Sequence, residues 1–313
     1  MMWENDMLDG YVHTTLPLHD DDFGPVVATL TRPSSPIPHP RFVVLAIHGW
    51  NDYFYQLPHA DAVAQAGGAF YAIDLRRYGR SWREGQTWGY IEHLSAYDDD
   101  IHAALDVIHT EVGTEIPFIL YGHSTGGLTA SLWASRHPEA LDGLVLNSPW
   151  LEYQGWSSTR VAGSPLIEAI YKMAPSTSMQ IPDPGIYTST LARWNPDPRY
   201  RHTPSFPIYV GWLRAIAEGH KEVANGLGID CPTLVLTSAR SAIVSPTPEQ
   251  AASCDIVLDV EQIWKRLPRL GSHVTLVKLD GAIHDVLLSD DDVRERAIAE
   301  INTWVNAYVA TAQ

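Results

Sequence analysis

The sequence predicts an α/β protein: a mostly parallel central sheet flanked by helices, interrupted by an aromatic-rich insertion. Three observations carry this. The apolar runs are short, β-branched and continuous rather than alternating, as strands covered on both faces require. Amphipathic stretches separate them, so strand and helix alternate as they do in a doubly wound sheet. The alternation breaks between about Pro149 and Gly228, in a stretch rich in Pro and aromatic residues.

In chain order, residues 12–18 and 26–31 flank Asp20-Asp21-Asp22-Phe23-Gly24 and read as a leading antiparallel hairpin. Phe42-Val43-Val44-Leu45-Ala46-Ile47 is the first strand buried on both faces, and residues 70–73 form the next. Residues 94–112 place Ile101, Leu105 and Ile108 at helical spacing. Strands follow at 118–121 and 144–146, with a helix over 127–136 between them. After the insertion come strands at 233–236 and 274–277. A last helix starts at Ser289, with Asp290, Asp291 and Asp292 in its first turn, where carboxylates suit the positive helix end better than they suit a metal.

The insertion lacks clear strands and holds 9 of the 22 Pro. Trp150, Tyr153, Trp156, Tyr171, Tyr187, Trp194, Tyr200, Phe206, Tyr209 and Trp212 are 10 of the 31 aromatics, well above their share for so short a stretch. The expected organisation is a core in two parts, residues 1–149 and 228–313, with residues 150–227 as a cap folded over one edge of the sheet.

Charge and composition exclude several classes. Lys and Arg number 21 against 37 Asp and Glu, a formal charge of −16, so nucleic acid is repelled and is not expected as a partner. No run of about 18 apolar residues exists to support stable membrane insertion. The start is acidic, without the basic-then-apolar order of a secretory leader, so a cytoplasmic location is expected. In that compartment Cys231 and Cys254 are expected as ordinary reduced thiols.

The chemistry concentrates in Gly122-His123-Ser124-Thr125-Gly126, which follows one strand and opens a helix. A Gly-x-Ser-x-Gly turn in that setting lifts the serine hydroxyl above the sheet, and the amides that open the helix carry partial positive charge. Ser124 is therefore the candidate nucleophile, and the backbone N–H of Thr125 a candidate oxyanion donor. His48-Gly49-Trp50 follows the first buried strand, and a second donor should come from this loop, through the backbone of Trp50. His48 reads as scaffold for that loop.

A base is needed beyond the last strands. His284 lies just past the strand at 274–277, whereas His273 precedes it, at the wrong end of the sheet. The acid that orients the base should follow the strand at 233–236, yet no carboxylate occurs until Glu249. Asp255 keeps the order Ser, acid, His and is the first choice, with Asp259 next. No cluster with metal-ligand spacing appears, and the chemistry needs no cofactor. Arg193, Arg199, Arg201 and His202 form a local basic cluster. It is either a solvated face or, alternatively, a site for a substrate carboxylate or phosphate.

These residues carry a family resemblance. Ile47-His48-Gly49-Trp50, Asp74-Leu75-Arg76-Arg77-Tyr78-Gly79-Arg80-Ser81, Gly122-His123-Ser124-Thr125-Gly126-Gly127, Leu144-Val145-Leu146-Asn147-Ser148-Pro149 and Pro232-Thr233-Leu234-Val235-Leu236 resemble the monoacylglycerol lipase and lysophospholipase branch of the α/β-hydrolase superfamily, the serine aminopeptidase-like hydrolases. The resemblance implies an α/β-hydrolase fold with a cap over residues 150–227. It also implies Ser124 as nucleophile, His284 as base, and Trp50 and Thr125 as backbone oxyanion donors. The family's Asp-x-Ile/Val-Val-Asp phrase fits Asp255-Ile256-Val257-Leu258-Asp259, displaced by an insertion at 238–254, and its first Asp is the catalytic one. Two departures border the site. Asn51-Asp52 stands where the family often has Gly-Glu, and Arg76-Arg77-Tyr78-Gly79 where it usually has Arg-Gly-His-Gly.

The expected function is hydrolysis of carboxylic monoesters, such as a monoacylglycerol or lysophospholipid, through an acyl-enzyme. The expected ligand is a small ester with an apolar acyl group, held by some of the insertion's aromatics. The same triad serves amide, thioester or carbon–carbon hydrolysis, and an idle fold acting as a small-molecule receptor is the alternative of another class.

Overall fold

The computed structural model describes residues 2–21, 23–153, 165–180, 183 and 185–310. The strands are β1 (Glu4–Asn5), β2 (Tyr11–Pro17), β3 (Val27–Pro33), β4 (Val43–Ile47), β5 (Ala69–Asp74), β6 (Phe118–His123), β7 (Gly143–Asn147), β8 (Ser178–Met179), β9 (Ile208–Tyr209), β10 (Thr233–Ser238) and β11 (Val274–Leu279). The helices are α1 (Leu57–Gln65), α2 (Tyr97–Val112), α3 (Thr125–Arg136), α4 (Pro165–Met173), α5 (Ile186–Thr190), α6 (Val210–Asn225), α7 (Pro248–Ala251), α8 (Val260–Arg266) and α9 (Asp291–Tyr308).

The main sheet runs β1-β2-β3-β5-β4-β6-β7-β10-β11. The leading hairpin is antiparallel, Thr14 opposite Leu30, and β3 joins β5 antiparallel. From β5 to β11 every pairing is parallel. Because a strand sends successive side chains to opposite faces, each continuous apolar run feeds two cores. Val43, Leu45, Ile47, Phe118 and Leu120 pack with Ile101, Leu105 and Ile108 of α2, Trp133 of α3 and Ile216 of α6. Val44, Ala46, Ile119 and Tyr121 pack on the other side with Val63 of α1 and Ile301 and Trp304 of α9. Each such aliphatic side chain, fully buried, stabilises the fold by about 1.5–3 kcal/mol relative to exposure. That is why these strands read as unbroken hydrophobic runs.

Three helix starts differ from the sequence reading, one being α3, which begins at Thr125 rather than Gly127. Leu94–Ala96 is a 3-10 turn, and the α-helix begins at Tyr97 with Asp98, Asp99 and Asp100 in its first turn. The last helix begins at Asp291, because the Ser289 hydroxyl is engaged elsewhere and accepts the Ile283 N–H at 3.0 Å. Cys231 and Cys254 are free and buried.

Between β7 and β10 the chain leaves the sheet and forms α4, α5, α6 and the small antiparallel β8–β9 pair. Trp156 lies outside the described residues. Trp212 and Phe206 turn back onto Trp50 of the core loop after β4, with ring centroids 4.0 and 4.5 Å away. Among the described residues no helix is long and apolar enough to cross a membrane.

Candidate active site

Ser124 sits where β6 ends and α3 begins, with φ 54° and ψ −117°, a conformation that L residues avoid and that marks stored local strain. The flanking glycines make the turn possible. A Cβ on Gly122 would stand 2.5 Å from the Gly126 carbonyl oxygen, and one on Gly126 would stand 2.3 Å from that of His48. The turn is pinned by backbone bonds: Ser124 N–H donates to the Asn147 carbonyl at 3.1 Å, and the Ser124 carbonyl accepts from Gly127 and Trp150.

His284 lies on the loop after β11. Its Nδ1 is 2.8 Å from Asp255 Oδ2, and both side chains are buried. The other Asp255 oxygen accepts the N–H groups of Val257 and Leu258, each at 2.8 Å. The chain after β10 makes an excursion through α7 and then returns. Asp255 N–H donates to the Arg240 carbonyl, and Ala242 N–H to that of Asp255, so Asp255 is zipped beside the end of β10. Asp259 is occupied differently: it caps α8, accepting the Glu261 N–H at 3.0 Å. His273 packs against Tyr308, away from this loop. His284 Nε2 is buried and has no hydrogen-bond partner among the described residues.

Ser124, His284, Trp50 and Arg201 line one cavity of about 210 Å³, together with Asp52, Tyr187 and Thr188. No hydrogen bond within the described residues takes the amide hydrogen of Trp50 or Thr125. His48 supports the loop rather than facing the cavity. Its Nε2 accepts the Leu75 N–H at 3.1 Å, leaving Nδ1 to donate to the Gly49 carbonyl at 2.8 Å. Tyr187 is the insertion aromatic beside Ser124; Phe206, Trp212 and Tyr153 belong to the hydrophobic core. The cavity wall is accordingly more polar than the insertion's composition suggests.

The basic cluster comes apart in three dimensions. Arg193 reaches Asp290 and Asp291 at the start of α9, and the exposed Arg199 pairs with Asp197. His202 packs edge-on against Trp88. Arg201 alone is buried in the cavity, its Nη1 2.9 Å from Asp52 Oδ1.

A second buried network lies beneath the pair. Asp285 Oδ1 accepts from Asn147 Nδ2 at 2.7 Å and faces His59 Nε2 at 3.2 Å. Burial pushes the Asp285 carboxyl up, but the His59 ring and the hydrogen bonds from His59 and Asn147 outweigh it and hold it below the usual carboxylate range. Burial lowers His123 to about 3, so that ring is neutral at physiological pH. Neither Asn147 nor His59 was legible as a site residue. The available signal was an amide ending the apolar run Leu144-Val145-Leu146, beside the strand that carries Ser124.

A strained serine between strand and helix on a mostly parallel sheet, with a His–Asp pair brought by the loops after the last two strands, defines an α/β-hydrolase. Solved structures share this fold: a carboxyl esterase from Bacillus coagulans (TM-score 0.72, 17% identity, covering 95% of this chain and 98% of that one) and a monoacylglycerol lipase from Paleococcus ferrophilus (0.66, 20%, 88% and 98%). The chain belongs to the serine aminopeptidase S33 family, whose model matches residues 38–292. It is also similar to a monoacylglycerol lipase from Mycolicibacterium smegmatis, 27% identical over 281 residues that make up 88% of this chain and 91% of that protein.

Proposed function

We propose that the protein is a serine hydrolase of small carboxylic monoesters, acylglycerols foremost, with Ser124 as nucleophile, His284 as base and Asp255 as the acid that orients it. The observation that carries the reading is the buried Asp255–His284 pair at 2.8 Å. It favours the proton on Nδ1, and it leaves Nε2 without a hydrogen-bond partner on a residue that lines the same cavity as Ser124. His284 Nε2 takes the serine proton as Ser124 Oγ attacks the ester carbonyl, and the backbone N–H groups of Trp50 and Thr125 hold the resulting oxyanion. The imidazolium returns its proton to the departing alcohol, leaving an acyl-enzyme. Water, deprotonated by the same nitrogen, then releases the acid and restores Ser124. Residues 150–227 act as a cap, contributing Tyr187, Thr188 and Arg201 to the cavity wall. That polar wall suits the alcohol half of the substrate, and the similarity to monoacylglycerol lipases supports a glycerol ester.

The test is hydrolysis of p-nitrophenyl esters from acetate to palmitate and of 1-monoacylglycerols, alongside Ser124→Ala. Activity abolished in Ser124→Ala is the expected outcome. Folded wild-type protein inert toward every chain length, and unlabelled by a fluorophosphonate probe, would overturn the reading.

A further inference from the structure

We propose that the cap sets the geometry of the oxyanion donor on Trp50, through a clamp on the core residues Trp50 to Tyr53. The inference rests on the oxyanion role proposed above for that amide. Each of the four residues is held by the insertion. The Trp50 indole packs against Trp212 and Phe206. Asn51 makes a two-point bond to the backbone of His202, its Nδ2 donating to the carbonyl at 2.8 Å and its Oδ1 accepting the N–H at 3.1 Å. Asp52 meets Arg201. The Tyr53 hydroxyl accepts the Asp197 N–H at 2.7 Å. The contacts on Asn51, Asp52 and Tyr53 thus all come from one short segment, residues 197–202.

The clamp acts on a strained backbone. Asn51 has φ 52°, in the left-handed region, which Asn tolerates better than most side chains but which an unconstrained loop leaves readily. On the core side the peptide that bears the Trp50 N–H is fixed through its carbonyl, since Gly49 O accepts from His48. A trans peptide directs its N–H away from its carbonyl, so holding that oxygen aims the Trp50 amide. The loop is therefore gripped at one end by the core and at the other by the cap, and releasing the cap end leaves the Trp50 peptide held at the Gly49 carbonyl alone and free to pivot about it. Asn51 and Tyr53 are positioning residues for the reaction, acting through Trp50.

The test compares wild type with Asn51→Gly, which removes the two-point bond while relieving the backbone strain, and Tyr53→Phe, which removes one hydroxyl. Steady-state kcat and KM are measured together with inhibition by a trifluoromethyl ketone, whose tetrahedral adduct needs the oxyanion donors as the substrate ground state does not. For Asn51→Gly, kcat and the inhibitor's affinity should fall together by about 100-fold, the scale of one lost oxyanion donor, while KM stays within about twofold. Tyr53→Phe should show the same pattern at roughly a several-fold scale, and it decides the matter if Asn51→Gly fails to fold. Wild-type kcat in the folded variants, or a rise in KM with inhibitor affinity unchanged, overturns the clamp. Activity surviving in Ser124→Ala in the same series would instead sink the triad reading, so the two failures are distinguishable.

Discussion

Asn147 ties the Ser124 turn to the loop that carries His284: its side-chain amide donates to Asp285 at 2.7 Å while its own main-chain carbonyl accepts the Ser124 N–H at 3.1 Å. Its Oδ1 also accepts the Val286 N–H at 3.2 Å, so the side chain grips the loop just beyond His284 at two points. Ser124 and His284 are thus linked by a polar strut whose members do not line the cavity. Asn147→Ala leaves Asp285 buried with one donor fewer, a loss of about 1–3 kcal/mol. Urea denaturation should show that loss, and kcat should fall by about tenfold for a slackened Ser–His geometry. A stability and kcat equal to wild type would remove the strut from the account.

Asp255 and Asp259 sit four residues apart yet do different work, and amide substitutions separate them. Asp255→Asn replaces the acceptor facing His284 Nδ1 and favours the wrong tautomer, so kcat should drop by about 10⁴-fold with the fold intact. Asp259→Asn exchanges one good helix cap for another and should leave both kcat and melting temperature near wild type. Asp259→Ala should destabilise by about 1 kcal/mol, again without effect on kcat. The reverse pattern would transfer the acid's role to Asp259.

Much of this was legible in the chain because it obeys local rules. The strands announce themselves because both faces of the sheet are covered, so their residues alternate between two cores without alternating in polarity. Ser124 and His284 follow from where their loops fall relative to β6 and β11. Asp255 was harder to place, since the excursion through α7 hides the return that zips it against Arg240 and Ala242; the order Ser, acid, His and the phrase around it pointed there. What the sequence could not convey is direction. Arg193, Arg199, Arg201 and His202 are neighbours in the chain but face four surroundings, and of the insertion's described aromatics Phe206 and Trp212 pack on Trp50 while Tyr187 lines the cavity. The Asn147–Asp285–His59 network joins three distant segments through hydrogen bonds, and no periodicity encodes such a contact.

Arg201 and Arg199 give a paired comparison from that dispersed cluster. Arg201 and Asp52 are both buried, so Arg201→Met strands a carboxylate in the cavity wall, and such stranding destabilises by about 3–5 kcal/mol. Arg201→Met with Asp52→Leu removes both charges and should recover much of that stability. Arg199 is exposed, and its bond to Asp197 is screened by solvent, so Arg199→Ala should melt with wild type. Thermal melts of these proteins, with Asp52→Leu alone to close the cycle, decide it. Additive effects of the Asp52 and Arg201 changes would show that the two groups do not interact.

Acid sensitivity follows from histidines buried in neutral form. Burial is the main cause that lowers His123 from 6.5 to about 3 and His220 from 6.5 to about 4; the His220 ring also bonds the Trp150 carbonyl. Their folded values lie below the unfolded one, so the unfolded chain takes up protons first as pH falls. The stability tied to these rings is complete above about pH 6.5 and drains away toward the folded values, by roughly 3 kcal/mol for each at pH 4. The lowered Asp285 works in the same direction but at lower pH, since its contribution is present above the ordinary carboxylate range and is lost below it. Denaturation midpoints should therefore be flat from pH 8 to 7 and fall steeply between pH 6 and 4. His220→Gln keeps a donor in the ring's place but cannot titrate, so its midpoint should lie below wild type at pH 8 and converge with it, or cross it, by pH 4. A parallel decline in the two proteins would show that His220 is not one of the groups that charge on unfolding.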